Sequence, residues 1–140
     1  MEALYSTEAL ATGAGRDGHV TTTDGRVDMD LAIPKAMGGS GDGANPEQLF
    51  AAGYSACFHS ALQSVARSQQ VKIENTSVGA RVSIGSNGEG GFQLAVHLEV
   101  IIPNLPHGEA QALVEAAHQV CPYSNATRGN IEVTLAVSDD

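Results

Sequence analysis

The chain has 140 residues and a mass of 14.4 kDa, room for one domain spanning residues 1–140. Hydrophobic residues make up 42%, enough for a core, while 7 Lys and Arg against 16 Asp and Glu leave a formal charge of −9. That balance argues against nucleic acid or an anionic membrane as a partner, since both need a basic surface, and 2 cysteines are too few for a disulfide scaffold.

The N-terminal residues Met1-Glu2-Ala3-Leu4-Tyr5 show neither a basic n-region nor an apolar h-region. No apolar run approaches the ~18 residues of a membrane span. A cytoplasmic protein is expected, in which isolated thiols stay reduced. Residues 2–13 can form a first strand. Asp24-Gly25 then makes a hairpin turn between Thr21-Thr22-Thr23 and a strand in which Val27, Met29, Leu31 and Ile33 alternate with polar or small residues.

After the glycine-rich loop Gly38–Gly43, Asn45 is a suitable N-cap, Pro46 fits the first helical position, and Glu47 lies in the first turn. The loop has no Gly-Lys-Ser/Thr ending and is not a phosphate loop. The spacing predicts a helix to about Gln69. Its apolar arc, from Leu49 through Phe50, Cys57, Ala61, Tyr54, Val65 and Phe58 to Leu62, exceeds roughly 200° and cannot be covered by one sheet face. The segment is also roughly 36 Å long, more than a compact domain of this size easily buries. A second copy of the chain is the simplest cover, and a homodimer centred on this helix is expected.

Two further alternating runs follow, Val78–Ile84 and Phe92–Ile102, joined by the turn sequence Ser86-Asn87-Gly88-Glu89-Gly90-Gly91. A second helix begins after Pro106, carries Ala110, Leu113, Val114, Ala117 and Cys121 on one stripe, and is ended or sharply bent by Pro122. Ile131, Val133, Leu135 and Val137 form the last strand. The order of elements gives an α+β domain with a largely antiparallel sheet.

Cys57 lies among Phe50, Tyr54 and Phe58, three of the chain's six Phe and Tyr residues, and Cys121 is followed by Tyr123. The plain reading is two small buried hydrophobes. Zinc has little support, because no second Cys or His pair at ligand spacing completes a site. A reactive thiol instead needs a cation, since an apolar pocket raises its pKa. Arg16, in the tight turn Gly13–Gly18, and Arg128, soon after Cys121, are candidates; Arg67 and Lys72 frame the far end of the long helix. Glu47 falls on the apolar arc but lies about 15 Å from Cys57 along a straight helix, with Gly53 the one weak point between them. It can reach a thiol only across a two-fold axis or through a break. The five histidines form no pattern and read as surface residues.

Asn45-Pro46-Glu47-Gln48-Leu49-Phe50-Ala51-Ala52-Gly53-Tyr54-Ser55-Ala56-Cys57-Phe58 resembles the central motif of the organic hydroperoxide resistance proteins. Val120-Cys121-Pro122-Tyr123-Ser124-Asn125-Ala126-Thr127-Arg128-Gly129-Asn130-Ile131 resembles their second motif. The likeness extends over essentially the whole chain, including the Gly15–Gly18 turn, and is closer to this branch than to the osmotically induced OsmC branch of the superfamily.

The resemblance implies an intertwined OsmC-like homodimer of α+β chains, with mostly antiparallel sheets packed around two long central helices. It implies a thiol peroxidase that reduces alkyl or fatty-acid hydroperoxides to alcohols. Cys57 would be the peroxidatic and Cys121 the resolving cysteine, with Arg16 as the activating cation and Glu47 orienting it. No bound cofactor or metal is implied; dihydrolipoyl groups on a lipoylated protein would recycle the disulfide. Phe50, Tyr54, Phe58 and Tyr123 would supply an apolar wall for the substrate. Two alternatives remain at this stage, an apolar small-ligand carrier with structural cysteines and a redox sensor.

Overall fold

In the computed structural model, which describes residues 1–138, strands form where side chains alternate between turn sequences. β1 (Ala9–Thr12), β2 (His19–Thr22) and β3 (Asp28–Asp30) make an antiparallel sheet in that order. The Asp24-Gly25 turn closes β2 on β3: the Thr22 N–H donates to the Val27 carbonyl, and Asp24 Oδ1 accepts from the Thr22 hydroxyl and the Arg26 N–H. The strand read over Val27–Ile33 stops at Asp30, because the chain beyond it pairs with a different segment. The Ala32 N–H donates to the Ala44 carbonyl at 2.9 Å, and the Ala44 N–H to the Asp30 carbonyl at 3.1 Å.

α1 (Pro46–Ser68) starts where the sequence places it. Asn45 Oδ1 accepts from the Gln48 N–H at 2.9 Å, and Gln48 Oε1 accepts from the Asn45 N–H at 3.0 Å. This reciprocal cap satisfies two otherwise orphaned donors, and an N-cap of this kind contributes about 1 kcal/mol. Tyr54, Phe58, Ala61, Leu62, Val65 and Ala66 form the helix's buried face, with Phe50 and Cys57 half-buried at its rim.

β4 (Ser77–Ser86) and β5 (Phe92–Ile101) pair antiparallel from Ser77↔Ile101 to Ser86↔Phe92. Asn87 holds their turn, its Oδ1 accepting from the Glu89 and Gly91 N–H groups. α2 (His107–Val120) and α3 (Pro122–Thr127) follow, and then β6 (Val133–Ser138). β6 lies parallel to β5, from Val96↔Val133 to Ile101↔Ser138. Alternation alone cannot reveal strand direction. The helical crossover supplies the reason, since it returns the chain to run alongside β5 in the same sense. The sheets are otherwise antiparallel, as read.

The chain divides into two compact units, Met1–Leu49 and the part from Phe50 onward. The second holds a continuous core in which Tyr54, Phe58 and Leu62 of α1 meet Leu98 and Val100 of β5 and Val114 and Ala117 of α2. The stripe predicted for α2 is its buried face, and Cys121 at its end is fully buried. The first unit has little core of its own. Its buried hydrophobic side chains among the described residues are Leu31 and Ala32, while Met1, Leu4, Tyr5 and Leu10 are exposed. Three α-helices and two three-stranded sheets among the described residues make this an α+β fold. No helix among them is long and apolar enough to cross a membrane.

Candidate active site

The joint between α2 and α3 creates the site. Cys121 closes α2, its N–H donating to the Ala117 carbonyl at 2.9 Å, and opens α3, its carbonyl accepting from the Asn125 N–H at 3.0 Å. Pro122 takes the first position of α3, where no N–H is needed and φ is already helical. The bend leaves Cys121 Sγ 3.5 Å from Cys57 Sγ of α1, and both are free thiols. A disulfide of about 2.0 Å would require the sulfurs to close by only about 1.5 Å. Gly53 fits the same joint rather than marking a weak point in α1, which is continuous through it. A Cβ there would lie 2.9 Å from Tyr123 Oη and 3.2 Å from its ring, so a larger residue at this position would push the Tyr123 ring away from the place it takes against the helix.

Burial pushes the Cys57 thiol above its ordinary range, because a thiolate loses its water. The Tyr123 backbone N–H opposes this by favouring the anion, and the Cys121 thiol beside it adds to the rise. The surroundings of Cys57 therefore favour its protonated thiol at neutral pH. A nucleophilic Cys57 requires positive charge from elsewhere.

Arg16 and Glu47, both in the first unit, form a two-pronged pair. Arg16 Nη1 donates to Glu47 Oε2 at 2.8 Å, and Nη2 to Oε1 at 2.7 Å. The guanidinium is fixed by its fork geometry rather than left to sweep through solvent. Its turn is tightly wound: a Cβ on Gly18 would fall 2.1 Å from the Thr12 carbonyl oxygen. The turn is also tied to neighbouring backbone, with the Leu31 N–H donating to the Gly18 carbonyl and the Ile33 N–H to Asp17 Oδ1. Glu47 is 14% exposed, and its carboxyl is held below the ordinary range, chiefly by the hydrogen bonds from Arg16, with burial opposing. Arg128, the second candidate cation, is engaged elsewhere. It donates to Asn125 Oδ1 and to the His118 carbonyl, bracing α3 against the last turn of α2.

The four aromatic residues proposed as a wall separate into two roles. Phe50 and Tyr123 line an open cavity of about 710 Å³, together with Phe92, Leu94, Ala126, Ile131 and the polar side chains of Asn87, Gln93, Thr127 and Asn130. Tyr54 and Phe58 are fully buried core residues outside that lining. Tyr54 supports the lining from beneath, its ring 5.9 Å from that of Phe50 and 5.6 Å from that of Tyr123. Phe92 is a cavity residue that the sequence reading places on the apolar phase of its strand and not in the wall. It occupies the inward phase of β5 but lies at the strand's first residue, where it is 72% exposed.

The histidines require correction. His107 is exposed, but His19, His59, His97 and His118 are half-buried and hydrogen-bonded. His59 and His97, on the polar sides of their elements, are met by Thr76 and Thr134, while His118 stands at the edge of the buried stripe of α2. His97 Nδ1 is 2.6 Å from Thr134 Oγ1 across the β5–β6 register, and His19 contacts both Asp28 and Asp30, which raise its pKa. His118 is shifted down by burial, with the Arg128 charge adding to it.

The family model for OsmC-like proteins matches residues 39–136. An organic hydroperoxide resistance protein of Xanthomonas axonopodis is 49% identical over 137 residues, covering 96% of this chain and 95% of that one. Among solved structures, an organic hydroperoxide resistance protein from Elizabethkingia anophelis with thiocyanate bound is 55% identical, with a TM-score of 0.95 and full coverage of both chains. A Vibrio cholerae structure, described as a putative organic hydroperoxide resistance protein with captopril in one of the active sites, is 51% identical. Its TM-score is 0.92, with 98% of this chain and 94% of that one covered.

The Arg16–Glu47 pair has a signed consequence for stability. The folded Glu47 carboxyl titrates below its unfolded value of about 4.3. Its contribution is therefore fully present above that value and is lost as pH falls through the folded pKa. Urea unfolding from pH 7 to pH 3 should show Glu47→Gln less stable than wild type at neutral pH, with the difference shrinking on acidification. A difference independent of pH would contradict the pair's ionic character.

Proposed function

The chain belongs to the OsmC-like family, in its organic hydroperoxide resistance group, and on that premise we propose that it is a thiol-dependent peroxidase reducing organic hydroperoxides to alcohols. The observation that carries this reading is the approach of Cys57 and Cys121 sulfurs to 3.5 Å, one half-exposed and one buried. Such a pair can be oxidised at the accessible thiol and closed by the other.

In this mechanism the Cys57 thiolate attacks the terminal peroxide oxygen, the O–O bond breaks, and the alkoxide leaves and takes up a proton. An alkoxide is a poor leaving group, so a fixed cation assists both the thiolate and the departing oxygen. Arg16, oriented by Glu47, is assigned that role, and its two-pronged pairing supports the assignment. The product is the Cys57 sulfenic acid. Cys121 sulfur attacks it, water leaves, and a Cys57–Cys121 disulfide forms. A dihydrolipoyl group on a lipoylated protein then reduces the disulfide by thiol exchange, becoming oxidised in turn.

The cavity beside Tyr123 suits an alkyl or fatty-acid chain. Phe50, Phe92, Leu94 and Ile131 offer apolar surface worth about 25 cal/mol for each Å² taken from water, an advantage hydrogen peroxide cannot use. The working form is assigned as an intertwined homodimer. The first unit, with its exposed Met1, Leu4, Tyr5 and Leu10 and its small core, supports this, because such a surface is covered at low cost by a second chain.

Thiol titration after one equivalent of an organic hydroperoxide tests the reading. Two thiols lost per chain, with turnover on dihydrolipoamide, is the expected result. Cys57→Ser should abolish turnover, and Cys121→Ser should reduce one equivalent and stall. No thiol lost would favour a ligand carrier built on the same cavity, and slow oxidation without turnover would favour a sensor. Light scattering should give a mass about twice that of the chain; a monomer would remove the dimer from the account.

A further inference from the structure

A buried chain of hydrogen bonds runs beside the two thiols without touching either sulfur. His118 Nδ1 is 2.8 Å from Ser124 Oγ, Ser124 Oγ is 2.8 Å from Tyr54 Oη, and Tyr54 Oη is 3.1 Å from Thr127 Oγ1. Tyr54 and Ser124 are fully buried, and Thr127 nearly so. Among the described residues no buried side-chain polar atom lacks a partner, so these groups are satisfied by one another.

The direction of each proton follows from the far end. The Thr127 hydroxyl has one hydrogen and donates it to backbone carbonyls, that of Tyr123 at 3.0 Å and that of Ser124 at 3.2 Å. Tyr54 must then donate to Thr127, Ser124 to Tyr54, and His118 to Ser124 through its Nδ1–H. Both the neutral Nδ1–H tautomer and the imidazolium meet that demand.

The placement of this chain is informative. His118 lies three residues before Cys121 on α2, and Ser124 three residues after it on α3, so their bond spans the bend on which Cys121 sits. Tyr54 lies three residues before Cys57 on α1, so its bond to Ser124 ties the helix bearing one thiol to the joint bearing the other. Apolar packing alone could slide at this point, whereas a directional bond fixes separation and angle.

We propose that His118, Ser124 and Tyr54 are positioning residues for disulfide closure, holding Cys121 in line with the sulfur of oxidised Cys57. The role rests on the peroxidase reading only for its place in turnover. The step itself is attack of the Cys121 sulfur on a Cys57 sulfur carrying a leaving group. When that group is hydroxide it departs as water, with the proton that Cys121 gives up.

The test uses a leaving group that needs no hydroperoxide. Reduced full-length protein is treated with one equivalent of the aromatic disulfide 5,5′-dithiobis(2-nitrobenzoate). The half-exposed Cys57 forms a mixed disulfide and releases one thionitrobenzoate; closure by Cys121 then releases a second. Ser124→Ala should slow the second release about tenfold, the rate equivalent of about one buried hydrogen bond, while the first stays within about threefold of wild type. Tyr54→Phe, which keeps the ring, should also slow the second release. His118→Asn, which keeps a donor, should close faster than His118→Ala.

Wild-type closure rates in both Ser124→Ala and Tyr54→Phe would overturn the proposal. So would equal slowing of both releases, which would indicate a general disturbance of the fold. Failure of the wild type to lose thiols to hydroperoxide, with these closure rates still separated, would count against the peroxidase reading and leave the brace standing.

Discussion

Burial of the Cys57 sulfur is the constraint around which the site is organised. For the proposed peroxidase reaction, an apolar setting would suit a hydroperoxide's alkyl chain and shield a sulfenic acid, but it opposes the thiolate that would have to form first. The structure near the sulfur offers one counterweight, the Tyr123 backbone N–H, and burial outweighs it. In the proposed mechanism the missing positive charge comes from a guanidinium held by a carboxylate, the pairing that Arg16 and Glu47 form. Pairing Arg16 with Glu47 fixes the guanidinium's direction, and on the proposed mechanism a fixed cation would need no reorganisation as charge develops on the peroxide oxygens.

The proposed mechanism also demands that oxidation at one sulfur be answered by the other, and Cys121 is suited to this by sitting at a helix joint instead of within a helix. Pro122 forces the bend, Arg128 and His118 brace it, and Gly53 leaves room for Tyr123 against α1. The same Tyr123 lends its backbone to Cys57 and its ring to the cavity wall. One short segment thus touches Cys57, carries Cys121 and lines the cavity, the three parts that the proposed function assigns to nucleophile, resolving thiol and substrate surface.

Much of this was legible in the sequence. The cap at Asn45, the long helix, the Asn87 hairpin and the break at Pro122 all rest on local chemistry, and local chemistry is what a sequence displays directly. The pairing of Cys57 with Cys121 and of Arg16 with Glu47 was reached through the likeness to a family, because spacing along the chain does not report contacts between distant elements. Other features could not be read in advance. The parallel placement of β6 depends on the path of the crossover. The separation of Tyr54 and Phe58 from Phe50 and Tyr123 depends on which part of a broad apolar arc is buried. The half-buried histidines depend on neighbouring strands and loops, and the role of Gly53 depends on Tyr123, seventy residues away in sequence, lying against it.

The central claim of the proposed mechanism is that Arg16 supplies the charge that offsets the burial of Cys57. The most direct measurement is the pH dependence of Cys57 alkylation by iodoacetamide in a Cys121→Ser background, with Arg16 present and with Arg16→Gln. The account predicts a midpoint below the ordinary cysteine value of about 8.5 when Arg16 is present, and above it when Arg16 is replaced. The same midpoint in both proteins would contradict it.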